Sequence, residues 1–299
     1  MRARIGEILM KCNNPLTVIF AILAMSVLSG CASNGTILNS GTDEYVNDRS
    51  RAWNLTRTVG MNQLRDAEVP SDQIPSKLVA AADMGIDVFY LMGSQTLNMD
   101  FGDAFGLGLI GLLTKPDGHG ERSTIVAWAP ESEVEGRENV HLWLGDQIRN
   151  ATIKAMDNLG IQGEAEFHNK LTDSMFNGTF VETRIKGVKA DGTECGAYFK
   201  IHPENVSDEV KAIPDFIAES TSGYQVFAGD GVVYPQFQAY CLSDTTLDPY
   251  VEFIGEISKN LPETVFFYTR KAELNGKHLP PVVWDHGKAL LFLTVKDDA

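Results

Sequence analysis

The chain has 299 residues, of which 43% are hydrophobic, and its formal net charge at pH 7 is −15. This apolar fraction is enough for a folded core and excludes a wholly disordered chain. The acidic balance opposes contact with phosphate backbones, so we exclude nucleic acid as a partner. It also repels anionic lipid headgroups, so attachment to a membrane requires a separate anchor.

The N-terminal segment has the three-part organisation of an export signal. It begins with the cations Arg2, Arg4 and Lys11, continues as an apolar run over residues 16–28, and ends in Leu-Ser-Gly-Cys at Cys31. A basic start, an apolar middle and small residues before a cleavage site are typical of a secretory signal peptide. The apolar run is shorter than the roughly 20 residues of a membrane-spanning helix, so we favour cleavage over an uncleaved transmembrane helix.

The tetrapeptide that ends at Cys31 resembles the lipobox of bacterial lipoproteins. In that family the cysteine thiol receives a diacylglycerol, the preceding peptide is removed, and the new amino group is acylated. The resemblance implies that Cys31 is the first mature residue and carries acyl chains such as palmitate, and two or more chains give lasting membrane attachment. Ala32 stands where the family's inner-membrane retention signal is Asp, which implies an outer-membrane protein that faces the periplasm.

Composition divides the chain into four parts. Residues 1–30 form the signal peptide, and residues 31–43 contain the lipidated cysteine and a flexible tether of small polar residues. Residues 44–120 are predicted to be a more helical N-terminal region, and residues 121–299 an α+β domain. Because a helix followed by strands occurs twice in the last part, the predicted fold class is α+β, with a mainly antiparallel sheet and packed helices.

The N-terminal region has two predicted helices, over residues 44–66 and 77–84, and a glycine-rich apolar stretch at 100–114. The motif Gly106-x-Gly108-x-x-Gly111 formally matches the dinucleotide-binding fingerprint, but that fingerprint needs a strand before it and a helix after it. Polar residues precede the motif and Lys-Pro-Asp-Gly ends it, so we predict no cofactor. A buried helix is the favoured interpretation, with a membrane-touching helix or a partner-docking surface as alternatives.

The α+β domain contains two strong helix signals. Apolar residues at three- and four-residue spacing predict a helix over residues 139–159 that ends at Gly160, with an apolar face that extends to Ile153. Asp248-Pro249 marks the start of a second helix, which ends near Lys259.

Alternating residues and turn signals predict the strands of this domain. Asp191-Gly192, a strong hairpin signal, separates predicted strands over 179–189 and 194–202, which we expect to pair. The tripeptide Gly-Asp-Gly similarly separates 224–228 from 232–240. Further strands are predicted at 123–129, 264–269 and 288–295.

The cysteines indicate a disulfide. Cys12 lies in the removed segment and Cys31 is the lipid site, which leaves Cys195 and Cys241. An even pair of cysteines in an exported chain predicts a disulfide between them. Neither lies in a Cys-x-x-Cys motif and no histidine lies within four positions of either, so a disulfide is favoured over a redox or metal pair.

Candidate catalytic and ligand-binding groups are few. Glu164, Glu166 and His168 alternate along a predicted strand, so they form either a metal site or, as we favour, a solvated face. Asp285-His286 offers a carboxylate and an imidazole, although a turn is the favoured interpretation. The run Phe266-Phe267-Tyr268 is interpreted as core rather than an aromatic ligand site. We therefore predict no catalytic, metal or cofactor-binding residues.

These features predict a lipoprotein anchored in the outer membrane through Cys31, with a periplasmic body that binds an envelope protein or assists envelope assembly. One alternative is a tethered periplasmic hydrolase, which requires a histidine, an acid and a nucleophile in one pocket. Another is a carrier of an apolar ligand, which requires an apolar cavity between helix and sheet.

Overall fold

The computed structural model describes most of the chain after the predicted tether, namely residues 44–70, 122–172, 178–226, 235–242, 248–274 and 277–296. All of these residues belong to one compact unit, Ser40–Ala299. They form a mostly antiparallel sheet with three helices, which confirms the α+β class. The predicted signal peptide, Cys31 and the predicted segments 77–84 and 100–114 lie outside the described residues, so the helical character of the N-terminal third stays a prediction.

The described helices are α1 (Arg51–Thr58), α2 (Val140–Asn158) and α3 (Asp248–Lys259). The strands, in chain order, are β1 (Ala67–Pro70), β2 (Thr124–Pro130), β3 (Gln162–Thr172), β4 (Gly178–Val188), β5 (Glu194–Ile201), β6 (Val206–Ala212), β7 (Ser222–Val226), β8 (Gln236–Leu242), β9 (Val265–Thr269), β10 (Ala272–Leu274), β11 (Lys277–Leu279), β12 (Val282–Asp285), β13 (Lys288–Leu291) and β14 (Leu293–Lys296).

The ten-stranded main sheet branches at β2. On one side β2 pairs with β9, and β12 and β13 follow. On the other side Thr124 pairs with β8, whereas residues 127–130 pair with β7. β8 leads on to β5, β4 and the edge strand β3, and β7 leads on to β6. Because β7 and β8 are both antiparallel to β2, they run in the same direction and do not pair with each other as a hairpin. The turn predicted at 229–231 lies outside the described residues.

Helix α2 follows its sequence signal. Its buried residues include Val140, Leu144 and Ile148, and the helix gives way to Gly160, whose φ of 65° suits glycine. The prediction for Ile153 was wrong: its side chain is 38% exposed, because it lies outside the buried stripe of the helix. The segment 44–66 forms a shorter helix than expected, since α1 covers only eight residues after the N-cap Ser50.

Helices cover both faces of the sheet near β2 and β9. α2 and α3 pack on one face, where Leu144 and Phe253 join its buried cluster. α1 packs on the other face, where Leu55 contributes to a second cluster with Trp128. The run Phe266-Phe267-Tyr268 is fully buried because its side chains enter the two clusters alternately, which confirms the interpretation as core.

The hairpin over β4 and β5 forms as predicted, with Gly192 in the turn at a φ of 90°. Cys195 of β5 lies opposite Cys241 of β8, and a disulfide bond joins them, as predicted. Both cysteines are buried. The single strand expected over 288–295 is divided at Phe292, because the chain leaves β12 there and pairs in parallel with β1 as β14.

Candidate functional site

A cleft opens in the main sheet where β8 separates from β2. Within the described part of the chain, these two strands pair at Thr124 and Gln236 alone, while β8 continues along β5. Consecutive residues of β8, from Gln236 to Ala239, line the cleft, and Tyr250 of α3 borders it as well. Its volume of about 680 Å³ falls within the range of roughly 300–1,000 Å³ typical of small-ligand sites.

Hydrogen-bond donors dominate the lining of this cleft. Arg122 and Ser123 come from the chain just before β2, Thr269 and Arg270 from the end of β9, and Gln238 from β8. The backbone N–H of Arg270 donates to Ser123 Oγ at 3.2 Å, so these two segments stay adjacent at the mouth. Among the lining residues that the structure describes, none is acidic and none is histidine.

The inner end of the cleft is apolar. Phe237 lines it and stacks on Phe267 with their ring centroids 3.7 Å apart. Tyr250, in the first turn of α3, reaches the cleft from the helical layer, and burial raises the pKa of its phenol, which therefore stays neutral. The cleft thus combines cationic and neutral donors with an apolar wall, an arrangement suited to binding.

A second arrangement of polar groups lies at the tip of the β12–β13 hairpin. His286 and Gly287 form its two-residue loop with φ values of 50° and 84°, so the favoured interpretation as a turn is confirmed. Asp285 Oδ1 lies 2.5 Å from His286 Nδ1, and Arg51 Nε donates to Asp285 Oδ2 at 2.9 Å. The backbone N–H of Gly287 donates to Ser258 Oγ at 2.8 Å, which ties the turn to α3.

Asp285 and His286 stabilise each other's charged forms. Burial alone opposes ionisation of Asp285, but the hydrogen bonds from His286 and Arg51 outweigh it and lower the pKa of the carboxyl. The hydrogen bond to Asp285 raises the pKa of His286 against the effect of burial. No hydroxyl or thiol of the described residues is hydrogen-bonded to this imidazole, and the Ser258 hydroxyl bonds to backbone instead. Within the described residues, the pair is an ion pair that joins the turn to Arg51 of α1.

The other candidates from the sequence, Glu164, Glu166 and His168, belong to the edge strand β3. Glu164 is exposed on β3, with Lys186 of β4 as its partner in register. Glu166 and His168 follow on the same strand, and their side chains lie outside the described part. No cluster of three metal-ligating side chains occurs among the described residues. Arg122 and Arg270, which line the cleft, have no signal in the sequence beyond their position at the ends of two predicted strands.

Comparison of the chain with protein-family models, with curated proteins and with solved structures finds no match. In the described part of the chain, each helix is too short or too polar to span a membrane.

Proposed function

We propose that this chain is a lipid-anchored protein of the bacterial outer membrane whose periplasmic body binds a protein of the cell envelope. The observation that carries the proposal is the buried disulfide between Cys195 and Cys241. Disulfides form and persist in oxidising compartments such as the periplasm, so this bond supports the export that the lipobox resemblance requires. The resemblance assigns the lipid to a different cysteine, Cys31.

The chemistry of the described residues supports binding over catalysis. A hydrolase requires a nucleophile hydrogen-bonded to its base, whereas the Asp285–His286 pair contacts Arg51, and the neighbouring Ser258 hydroxyl bonds to backbone groups. A carrier of an apolar ligand requires an apolar cavity, whereas arginines, amides and hydroxyls line most of the described cleft. The anchor and the body therefore act together as a tethered binding module.

Exposed apolar side chains provide positions at which to test for the partner. The large apolar residues exposed on the described surface are Leu142, Ile153 and Val188. Leu142 and Ile153 lie about three turns apart on the outer side of α2, and Val188 ends β4. Together they sample two exposed positions of α2 and one at the end of β4.

A photo-reactive amino acid at each of these positions, activated in intact cells, tests the proposal. We expect a discrete adduct with one envelope protein from at least one of these positions, and we expect Cys31→Ser to abolish it, because the unanchored body is misplaced. Absence of an adduct from all three positions, or an adduct that persists unchanged in Cys31→Ser, would contradict the proposed role.

A further inference from the structure

We infer that the cleft between β8 and the ends of β2 and β9 binds a small ligand through a carboxylate or phosphate group. This inference goes beyond the proposed function and does not depend on lipidation of Cys31. It rests on the placement of Arg122 and Arg270, on the neutral donors beside them and on the apolar inner wall.

The sheet register sets the two arginines side by side. Thr124 pairs with Tyr268 in the antiparallel ladder of β2 and β9, so continuing the register by two residues places Arg122 opposite Arg270. The hydrogen bond from the Arg270 backbone N–H to Ser123 Oγ shows that the two segments are still adjacent at this point.

Guanidinium groups are well suited to binding a carboxylate or phosphate. Each arginine presents five N–H donors in a planar fork, which matches the paired oxygens of a carboxylate or phosphate. With five donors, each side chain can bind a ligand oxygen in addition to an acceptor from the protein. In a chain with 40 acidic and 25 basic residues, the described lining of this cleft has two arginines and no acidic side chain.

The other residues that line the cleft indicate the chemistry of the rest of the ligand. The amides of Gln236 and Gln238 and the hydroxyl of Ser123 add neutral donors at the mouth. Phe237 and Tyr250 border the inner end, where an uncharged or apolar portion of the ligand fits. A small acid or phosphate ester that combines an anionic head with an apolar part therefore matches the cleft.

Isothermal titration calorimetry of the full-length chain in a non-ionic detergent and chloride buffer tests the inference, with citrate and inorganic phosphate as probes. We expect at least one probe to bind, and Arg122→Gln and Arg270→Gln each to raise its Kd about tenfold, the loss of one charge-assisted contact. Binding of citrate alone identifies a carboxylate ligand, and binding of phosphate alone a phosphate ligand; either supports the inference.

Arg184→Gln is the matched control, because Arg184 is an exposed arginine of β4 that pairs with Glu182 and does not line the cleft. It should leave the Kd unchanged. Arg122→Lys and Arg270→Lys keep the charge without the fork and give a second pair of variants should the Gln variants fail to fold. The inference is overturned if neither probe binds the wild-type chain. It is also overturned if Arg122→Gln and Arg270→Gln raise the Kd no more than Arg184→Gln does. Neither result depends on the lipid anchor, so a failure here is distinct from a failure of the proposed function.

Discussion

Single residues hold the hairpin of β12 and β13 to the rest of the body. Asp285, only 8% exposed, accepts a hydrogen bond from Arg51 of α1 and pairs with His286 in the turn. Arg51 also donates to the backbone carbonyl of Phe216 at 3.2 Å. One carboxylate therefore connects a helix on one face of the sheet with the edge of the sheet. The sequence showed that Asp285 and His286 adjoin, but it could not show Arg51, which lies 234 positions away.

Asp285→Asn should lower the free energy of unfolding by about 1–3 kcal/mol, because it removes a buried charged acceptor. The pKa of Asp285 is lowered from its usual 3.8, so its contribution is present above that pH and is lost as the pH falls through the lowered pKa. The pKa of His286 is raised from its usual 6.5, so its contribution is complete below that pH and is lost as the pH rises through the raised pKa. The difference between wild type and variant should therefore be greatest between these two values.

Urea unfolding across the pH range measures this profile. His286→Asn is the companion variant, since asparagine tolerates the left-handed backbone at this position and lacks the imidazole. It should remove the loss of stability on the alkaline side and leave the loss on the acidic side. A difference between wild type and Asp285→Asn that does not vary with pH would contradict the ion pair.

Elements with strong local signals were predicted well, and those defined by long-range pairing were not. The apolar spacing of α2 and the Asp191-Gly192 turn are local, and both elements form where expected. The partners of β7 and β8 are not local, because each of these strands pairs with a different part of β2, which is distant in sequence. The cleft arises from this separation. Its two arginines could not be placed together without knowing that β2 and β9 are neighbours.

The disulfide between β5 and β8 is expected to stabilise the fold by joining two neighbouring strands. Its cysteines are 46 positions apart, so the bond should stabilise the fold by roughly 4 kcal/mol in the chain-entropy model. A reducing agent should lower the urea midpoint of the wild type. The Cys195→Ala, Cys241→Ala double variant should match the reduced wild type and show no further response to the reducing agent. Equal midpoints for oxidised and reduced wild type would contradict a stabilising bond.

At the scale of the whole molecule, residues from both ends of the described chain complete one body. β1, near the start, pairs in parallel with β14, near the end, and α1 covers the face of the sheet opposite α2 and α3. Composition alone separated residues 44–120 from residues 121–299 and could not reveal this joint core, because burial of α1 depends on apolar residues of distant strands. The acidic balance of the chain opposes contact with anionic lipid headgroups, so the proposed membrane attachment rests on the lipid predicted at Cys31.

Metabolic labelling with radioactive palmitate tests that dependence most directly. The account predicts that the wild-type chain takes up the label, that Cys31→Ser does not, and that Cys12→Ser, whose changed residue lies in the segment predicted to be removed, is labelled as the wild type is. Label retained by Cys31→Ser, or a wild-type chain that takes up none, would contradict it.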